Sequence, residues 1–162
     1  MQPSLRFTKM HGCGNDYVFV DCVSQPIDLD WPRVARILSD RHFGIGSDGL
    51  ILILPSEKAD FRMRMFNADG SEGEMCGNGM RCLAKYVYEH GLTSKVEFEV
   101  ETLAGIIRPR VLVELGHVKE VEVDMGSPQV GRESTMKLDD ACFEYTPVSM
   151  GNPHCVIFYT DP

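Results

Sequence analysis

No stretch of this 162-residue chain holds the roughly 20 consecutive apolar residues that a membrane-spanning helix needs. The first ten residues, MQPSLRFTKM, lack the apolar block of a signal peptide. Basic residues are outnumbered, 16 against 24 acidic ones, and nowhere cluster. With a formal net charge of −8, neither nucleic acid nor a membrane surface is expected as a partner, because phosphate surfaces are held by grouped cations. There is no C-x-x-C pair, and His11-Gly-Cys13 alone is weak support for a metal, so no metal site is expected. The six cysteines, at 13, 22, 76, 82, 142 and 155, are even in number but come with no export signal. Reduced thiols in a cytoplasmic protein are the expectation.

What is present suits a soluble globular protein: 43% hydrophobic and 25% charged residues, in a length that allows one domain or one domain and part of another. Two segments have helical periodicity. DWPRVARILSD opens at Asp30 as an N-cap and carries Val34, Ile37 and Leu38 on one stripe. GNGMRCLAKYVYEHG spaces Met80, Leu83, Ala84 and Val87 as a buried face, starts near Asn78 and stops at Gly91. Strand patterns fill most of the remainder. Val96, Phe98 and Val100 alternate with Glu97 and Glu99, whereas DYVFVDC, LILIL and CVIFY are continuous enough for strands buried on both faces. Two helices among eight or more strands, without strict alternation, predict an α+β fold.

An internal echo bears on domain organisation. HGCGNDYVFVD at 11–21 and VSMGNPHCVIFYTD at 148–161 both run from Gly-Asn into an apolar strand that ends at Asp, so Asn15 corresponds to Asn152. A second unit resembling the first would open there. The chain stops one strand into it, which suggests a half-complete second domain or a truncated form.

Among the motifs, GIGSDG at 44–49 matches the dinucleotide fingerprint in letters only, since a helix precedes it and a strand follows. It reads as a helix-to-strand loop whose glycines let backbone approach a ligand. EMCGNGMRC at 74–82 is more informative. Cys76 lies just before a helix start, where unpaired N–H groups and the positive end of the dipole favour an anion, either a thiolate or a substrate carboxylate. Gly77, Asn78 and Gly79 leave that approach open. A structural cysteine is the competing reading for Cys76. Cys82, a turn further in, reads as a small buried side chain. Asn15, Asn67 and Asn152 each tie off a loop or strand end beside glycine, and together they suit neutral recognition of a small zwitterion. His154, two residues after Asn152, has a structural reading and a second one, stabilising a nearby thiolate.

The combination HGCGNDYVFVD, RHFGIGSDGL, FNADGSEGEMCGNGMRC and VSMGNPHCV resembles the diaminopimelate epimerases over essentially the whole chain, the CGNG block being the specific part. The resemblance implies two pseudo-symmetric units, each a β-roll wrapped round a central helix, with the first assigned to residues 1–118 and the start of an incomplete second to 119–162. It implies interconversion of LL- and meso-diaminopimelate in lysine and cell-wall biosynthesis, with no cofactor. Cys76 matches the first of two catalytic cysteines. Asn15, Asn67, Gly77, Asn78 and Asn152 match substrate contacts, and His154 a group that tunes cysteine acidity. Some members carry Gln where this chain has Gly49, which puts a side-chain contact there in doubt. No second Gly-rich cysteine motif follows residue 155, so the chain is expected to hold half of a two-base site and to be inactive alone, pairing with a C-terminal half or forming a homodimer. Two alternatives remain: a proline racemase-like isomerase, whose members typically carry His at the place of Asn78, and a non-catalytic binding or assembly module.

Overall fold

A computed structural model of the chain describes residues 4–150 and 153–158. Residues 1–124 and 125–162 form two compact units. In the first, the elements in order are β1 (Thr8–Gly12), β2 (Asn15–Asp21), α1 (Trp31–Ser39), β3 (Gly49–Leu54), β4 (Phe61–Asn67), β5 (Glu72–Gly73), α2 (Gly77–Glu89), β6 (Val100–Thr102), β7 (Gly105–Ile107), β8 (Pro109–Glu114) and β9 (His117–Val123). The sheet runs β1-β2-β3-β4-β6-β7, with β5 attached to β4, while β8 and β9 form a separate antiparallel pair. The β2–β3 and β4–β6 pairs are parallel.

The apolar runs DYVFVD and GLILIL are continuous because each face of the sheet meets its own layer. Tyr17, Phe19, Ile51 and Ile53 share a core with Met80, Leu83, Ala84 and Val87 of α2. The alternate residues Val18, Val20, Leu50 and Leu52 join Phe66 in a second core against Trp31 and Ala35 of α1. A period of two thus sends each strand into two cores at once. Behind α2, β8 and β9 close over the helix, contributing Val111 and Val118. The result is a helix wrapped by strands, in an α+β unit.

Both helices begin and end for identifiable reasons. The Asp30 side chain accepts a hydrogen bond from the Arg33 N–H and caps α1, which carries Pro32 in its first turn. Of the expected α1 stripe, Val34 and Leu38 pack against the second core while Ile37 is 54% exposed, and the fully buried residues of the helix are Trp31, Ala35 and Ser39. At the end of α2, Gly91 adopts φ +70 while its N–H reaches the Tyr88 carbonyl and the Leu92 N–H reaches Val87. This 6→1 and 5→2 pattern needs a left-handed residue, which glycine supplies without a Cβ penalty.

Cys82 lies within the α2 core, 5% exposed, and burial raises its thiol above the ordinary cysteine range. Cys82→Ser would bury a hydroxyl in this apolar setting. It is expected to cost about 1–3 kcal/mol in denaturant unfolding. A variant of unchanged stability would mean that the site readily hydrates.

Three expectations change with the structure. The 96–100 alternation yields regular strand only from Val100, with one isolated bridge from Glu97 to Arg110, and Val96 is 50% exposed. A unit boundary at 118 would cut β9, whose residues pair with β8 from Glu114–His117 through to Pro109–Val123, and the division falls after Asp124. In the second unit, β10 (Gln129–Val130), β11 (Ser134–Leu138), β12 (Ala141–Ser149) and β13 (Pro153–Val156) make an antiparallel sheet centred on β12. The CVIFY segment is not buried on both faces: among the described residues β13 pairs with β12 only, and Cys155 and Phe158 are exposed. Among the described residues no helix is long and apolar enough to cross a membrane.

Candidate active site

Cys76 is itself the N-cap of α2, with extended backbone (φ −136, ψ 116), so the helix starts at Gly77, one residue earlier than the pattern predicts. Its Sγ accepts the Gly79 N–H at 3.4 Å, taking one of the donors a helix start leaves open. The β1–β2 turn brings the next group. Cys13 and Gly14 have φ of 55 and 84, the two positive values of a two-residue hairpin turn, and the register pairs Gly12 with Asn15. The turn therefore sets Asn15 at the start of β2, beside the helix start.

There Asn15 Oδ1 accepts from the Cys76 thiol at 3.4 Å and from Asn78 Nδ2 at 3.3 Å. Asn15 Nδ2 donates to Asp48 Oδ2 at 2.6 Å. Arg81 in turn donates to Asn78 Oδ1. The chain Arg81, Asn78, Asn15, Asp48 runs from a cation to an anion, with each amide donating to the next. Reversing either amide would set donor against donor, so both orientations are determined. The third partner of the sulfur is Tyr17, whose hydroxyl donates to Cys76 Sγ at 3.5 Å.

Asp48 is the last residue of the loop that joins α1 to β3, and the loop is tied to the hairpin by charge. Asp48 Oδ2 also accepts the Asp16 N–H at 3.0 Å, and Arg41 Nη2 lies 2.8 Å from both the Asp16 and Asp48 carboxylates. Lys9 bridges to Asp16 at 3.0 Å and donates to the Gly46 carbonyl. The Arg41 hydrogen bond holds the Asp16 carboxyl well below the usual carboxylate range, against the opposing effect of burial and with help from Lys9. Because the folded value is depressed, the stabilisation is present above the unfolded value of 3.8 and is lost as pH falls towards the folded one. Asp16→Asn is thus expected to lower the urea midpoint at pH 7, with the gap to wild type shrinking below about pH 4. An equal gap at both pH values would remove Asp16 as the source.

Across the sheet, register aligns Tyr17 with Gly49 and Gly49 with Asn67. A Cβ added at Gly49 would meet the Phe66 carbonyl oxygen at 2.2 Å and the Tyr17 ring at 3.0 Å. Position 49 therefore has no room for a side chain, and the Tyr17 ring occupies the place one would take. Gly49→Ala is expected to cost about 2–3 kcal/mol by overpacking, measured by thermal or urea unfolding. Tolerance of alanine would show that β3 shifts freely. Asn67 ends β4, donates from Nδ2 to Ser71 Oγ at 2.9 Å, and stays outside the Asn15 chain of bonds.

Of the residues singled out from sequence, Asn15, Cys76, Gly77 and Asn78 come together at the α2 start, and Asn67 sits two strands from Tyr17. His154 lies on β13, paired with Val148, in the second unit. Asn152 lies outside the described residues. Sequence reasoning missed Tyr17, Asp48 and Arg81. Tyr17 was one apolar letter in a strand, and Asp48 was only turn chemistry inside GIGSDG. Among the described residues no group of three or more His, Cys, Asp or Glu is placed to hold a metal.

The arrangement presents a thiol at a helix N-terminus, between one acceptor and two donors, in a row of amides of determined direction. It can exchange a proton at sulfur and hold a small polar anion at the helix start. Solved structures share the fold. A probable proline racemase from Agrobacterium radiobacter K84 superposes with a TM-score of 0.73 at 16% identity, over 95% of this chain and 52% of that one. A PhzF-family phenazine biosynthesis protein from Bacillus anthracis gives 0.69 at 22% identity, over 94% and 54%. Sequence relatives are nearer. The diaminopimelate epimerase of Moorella thermoacetica is 51% identical over 97% of this chain and 61% of its own length, and that of Agathobacter rectalis is 52% identical over 97% and 62%. That of Methanococcus maripaludis strain C5 is 50% identical over 95% and 60%. The chain spans about three fifths of the length of these curated relatives. With a family model for diaminopimelate epimerase matching residues 7–131 and identities near one half, the chain belongs to the diaminopimelate epimerase family.

Proposed function

We propose that this chain supplies one face of a cofactor-independent epimerase that interconverts LL- and meso-diaminopimelate, acting in the cytoplasm within lysine and cell-wall biosynthesis. The observation that carries the reading is Cys76 at the α2 N-terminus, its sulfur held by Asn15, Tyr17 and Gly79 in a chain half identical to diaminopimelate epimerases. In this reading the Cys76 sulfur, as thiolate, takes the proton from Cα and the carbon becomes a planar carbanion. A thiol on the opposite face then delivers its own proton. One C–H bond breaks and one forms, and the two sulfurs exchange protonation states. The substrate α-carboxylate lies against the N–H groups of Gly77 and Asn78, where the helix dipole steadies the developing charge. Asn15, Asn67 and Asn152 hold the amino-acid groups by neutral hydrogen bonds, and His154 tunes a cysteine. Cys76 is one base of the two that inversion needs, and the second belongs to a second, pseudo-symmetric unit.

Deuterium uptake tests the proposal. The full-length protein in D₂O is expected to introduce label at Cα of diaminopimelate during epimerisation, without added pyridoxal phosphate. Label in proline and none in diaminopimelate would overturn the substrate assignment. Stoichiometric pyridoxal phosphate in the purified protein would overturn the mechanism.

A further inference from the structure

We infer that Tyr17 is a positioning residue for Cys76: its hydroxyl, held still by the sheet, donates to the sulfur and stabilises the thiolate. The inference deepens the proposed function and rests on its assignment of Cys76 as the reacting group. Three independent features carry it. Tyr17 is 5% exposed, and its hydroxyl lies 3.5 Å from Cys76 Sγ. Its ring is pinned on one side by the bare backbone of Gly49 and stands edge-on to Phe19 at 6.5 Å between centroids. The hydroxyl therefore cannot swing away without displacing the core. Burial first, and then the bond to Cys76, push the phenol well above the usual tyrosine range, so it remains a protonated donor throughout the interval in which thiols titrate.

The three partners of the sulfur then have separate tasks. Asn15 Oδ1 accepts the S–H proton of the neutral thiol at 3.4 Å, whereas Tyr17 O–H and Gly79 N–H are donors that favour the anion. When the thiol loses its proton, the Asn15 contact is the one that weakens and the Tyr17 contact the one that strengthens. Other titratable groups that act on the pair are Asp48, from the loop before β3, on Tyr17, and Cys82, from α2 itself, on Cys76. None of the bonds described for them ends on Cys76 Sγ, so among the described residues the phenol is the side-chain donor to sulfur, and a single conservative change removes it.

The test is the pH dependence of Cys76 alkylation by iodoacetamide, followed by peptide mapping, in wild type and Tyr17→Phe. Phenylalanine keeps the ring and deletes only the oxygen. Tyr17→Phe is expected to slow Cys76 alkylation near pH 7 by about 3- to 10-fold while reaching the same limiting rate at high pH, the size being that of one ordinary protein hydrogen bond, since sulfur at this distance is a weak acceptor. A purely structural tyrosine would change the rate at every pH or at none. Superimposable profiles would overturn the inference. So would a uniform slowing that includes the high-pH limit. Should Tyr17→Phe fail to fold, wild-type protein labelled with ring ¹³C at its five tyrosines serves instead. One ring-carbon resonance is then expected to move across the pH interval in which Cys76 becomes alkylated, and five stationary resonances would overturn the inference. Failure of the underlying assignment looks different. Another cysteine alkylated ahead of Cys76 in wild type would remove Cys76 as the activated thiol, whatever Tyr17 does.

Discussion

Replacing Cys76 with serine is expected to reduce α-proton exchange on diaminopimelate by at least about 10³-fold in the full-length protein, with the fold unchanged. Serine is a strongly preferred N-cap, so its Oγ can take over the Gly79 N–H that Cys76 Sγ accepts, and α2 keeps its start. Stability is therefore expected to stay within about 0.5 kcal/mol of wild type. The loss comes from chemistry: a serine hydroxyl is far too weak an acid to give up its proton near neutral pH. Pairing deuterium exchange with urea unfolding separates the two effects. Exchange within tenfold of wild type would show that the sulfur does not carry the proton. The contrast with Cys82→Ser, which costs stability at a buried position and should largely spare the chemistry, guards against reading any cysteine loss as catalytic.

The second large effect is expected at a residue with no bond to the thiol. Asp48→Ala removes the acceptor of Asn15 Nδ2, the acceptor of the Asp16 N–H and one of the two carboxylates on Arg41. Asn15 then keeps the Asn78 Nδ2 bond to its Oδ1 but loses the acceptor of its own Nδ2, so the amide is held at one end and can tilt out of its place beside Cys76. A shift of this kind in a positioned group is expected to lower kcat/KM by about 10- to 100-fold. Asp48→Asn keeps an oxygen acceptor without the charge and is expected to recover part of the loss. Steady-state kinetics of both variants check the claim. Unchanged kinetics for Asp48→Ala would mean that Asn15 is held by the hairpin turn alone.

The parts of this protein legible in sequence are those written in local pattern. Met80, Leu83, Ala84 and Val87 announce the buried face of α2, Gly91 its end, and DYVFVD and LILIL two strands covered on both faces. Each is a short-range periodicity or a one-residue conformational demand, which neighbours along the chain suffice to express. Where contacts across the fold decide which face is covered, the pattern misleads: Ile37 is exposed while Trp31 and Ala35 take the core positions of α1, and Phe158 is exposed although its run is apolar enough for a buried strand.

The candidate site divides along the same line. The composition of CGNG was enough to place a thiol at a helix start with open backbone beside it, because helix ends always leave N–H groups unpaired and glycine always leaves room. The partners of that thiol were a matter for the tertiary structure. Tyr17, 59 residues away, reaches Cys76 because β2 lies beneath α2, and Asp48 reaches Asn15, 33 residues away, because the α1–β3 loop folds back over the hairpin. Hydrogen bonds of this kind depend on distances of a few ångströms between segments whose separation along the chain carries no signal. A sequence states which groups are available, and only the packed sheet and helix determine which of them meet.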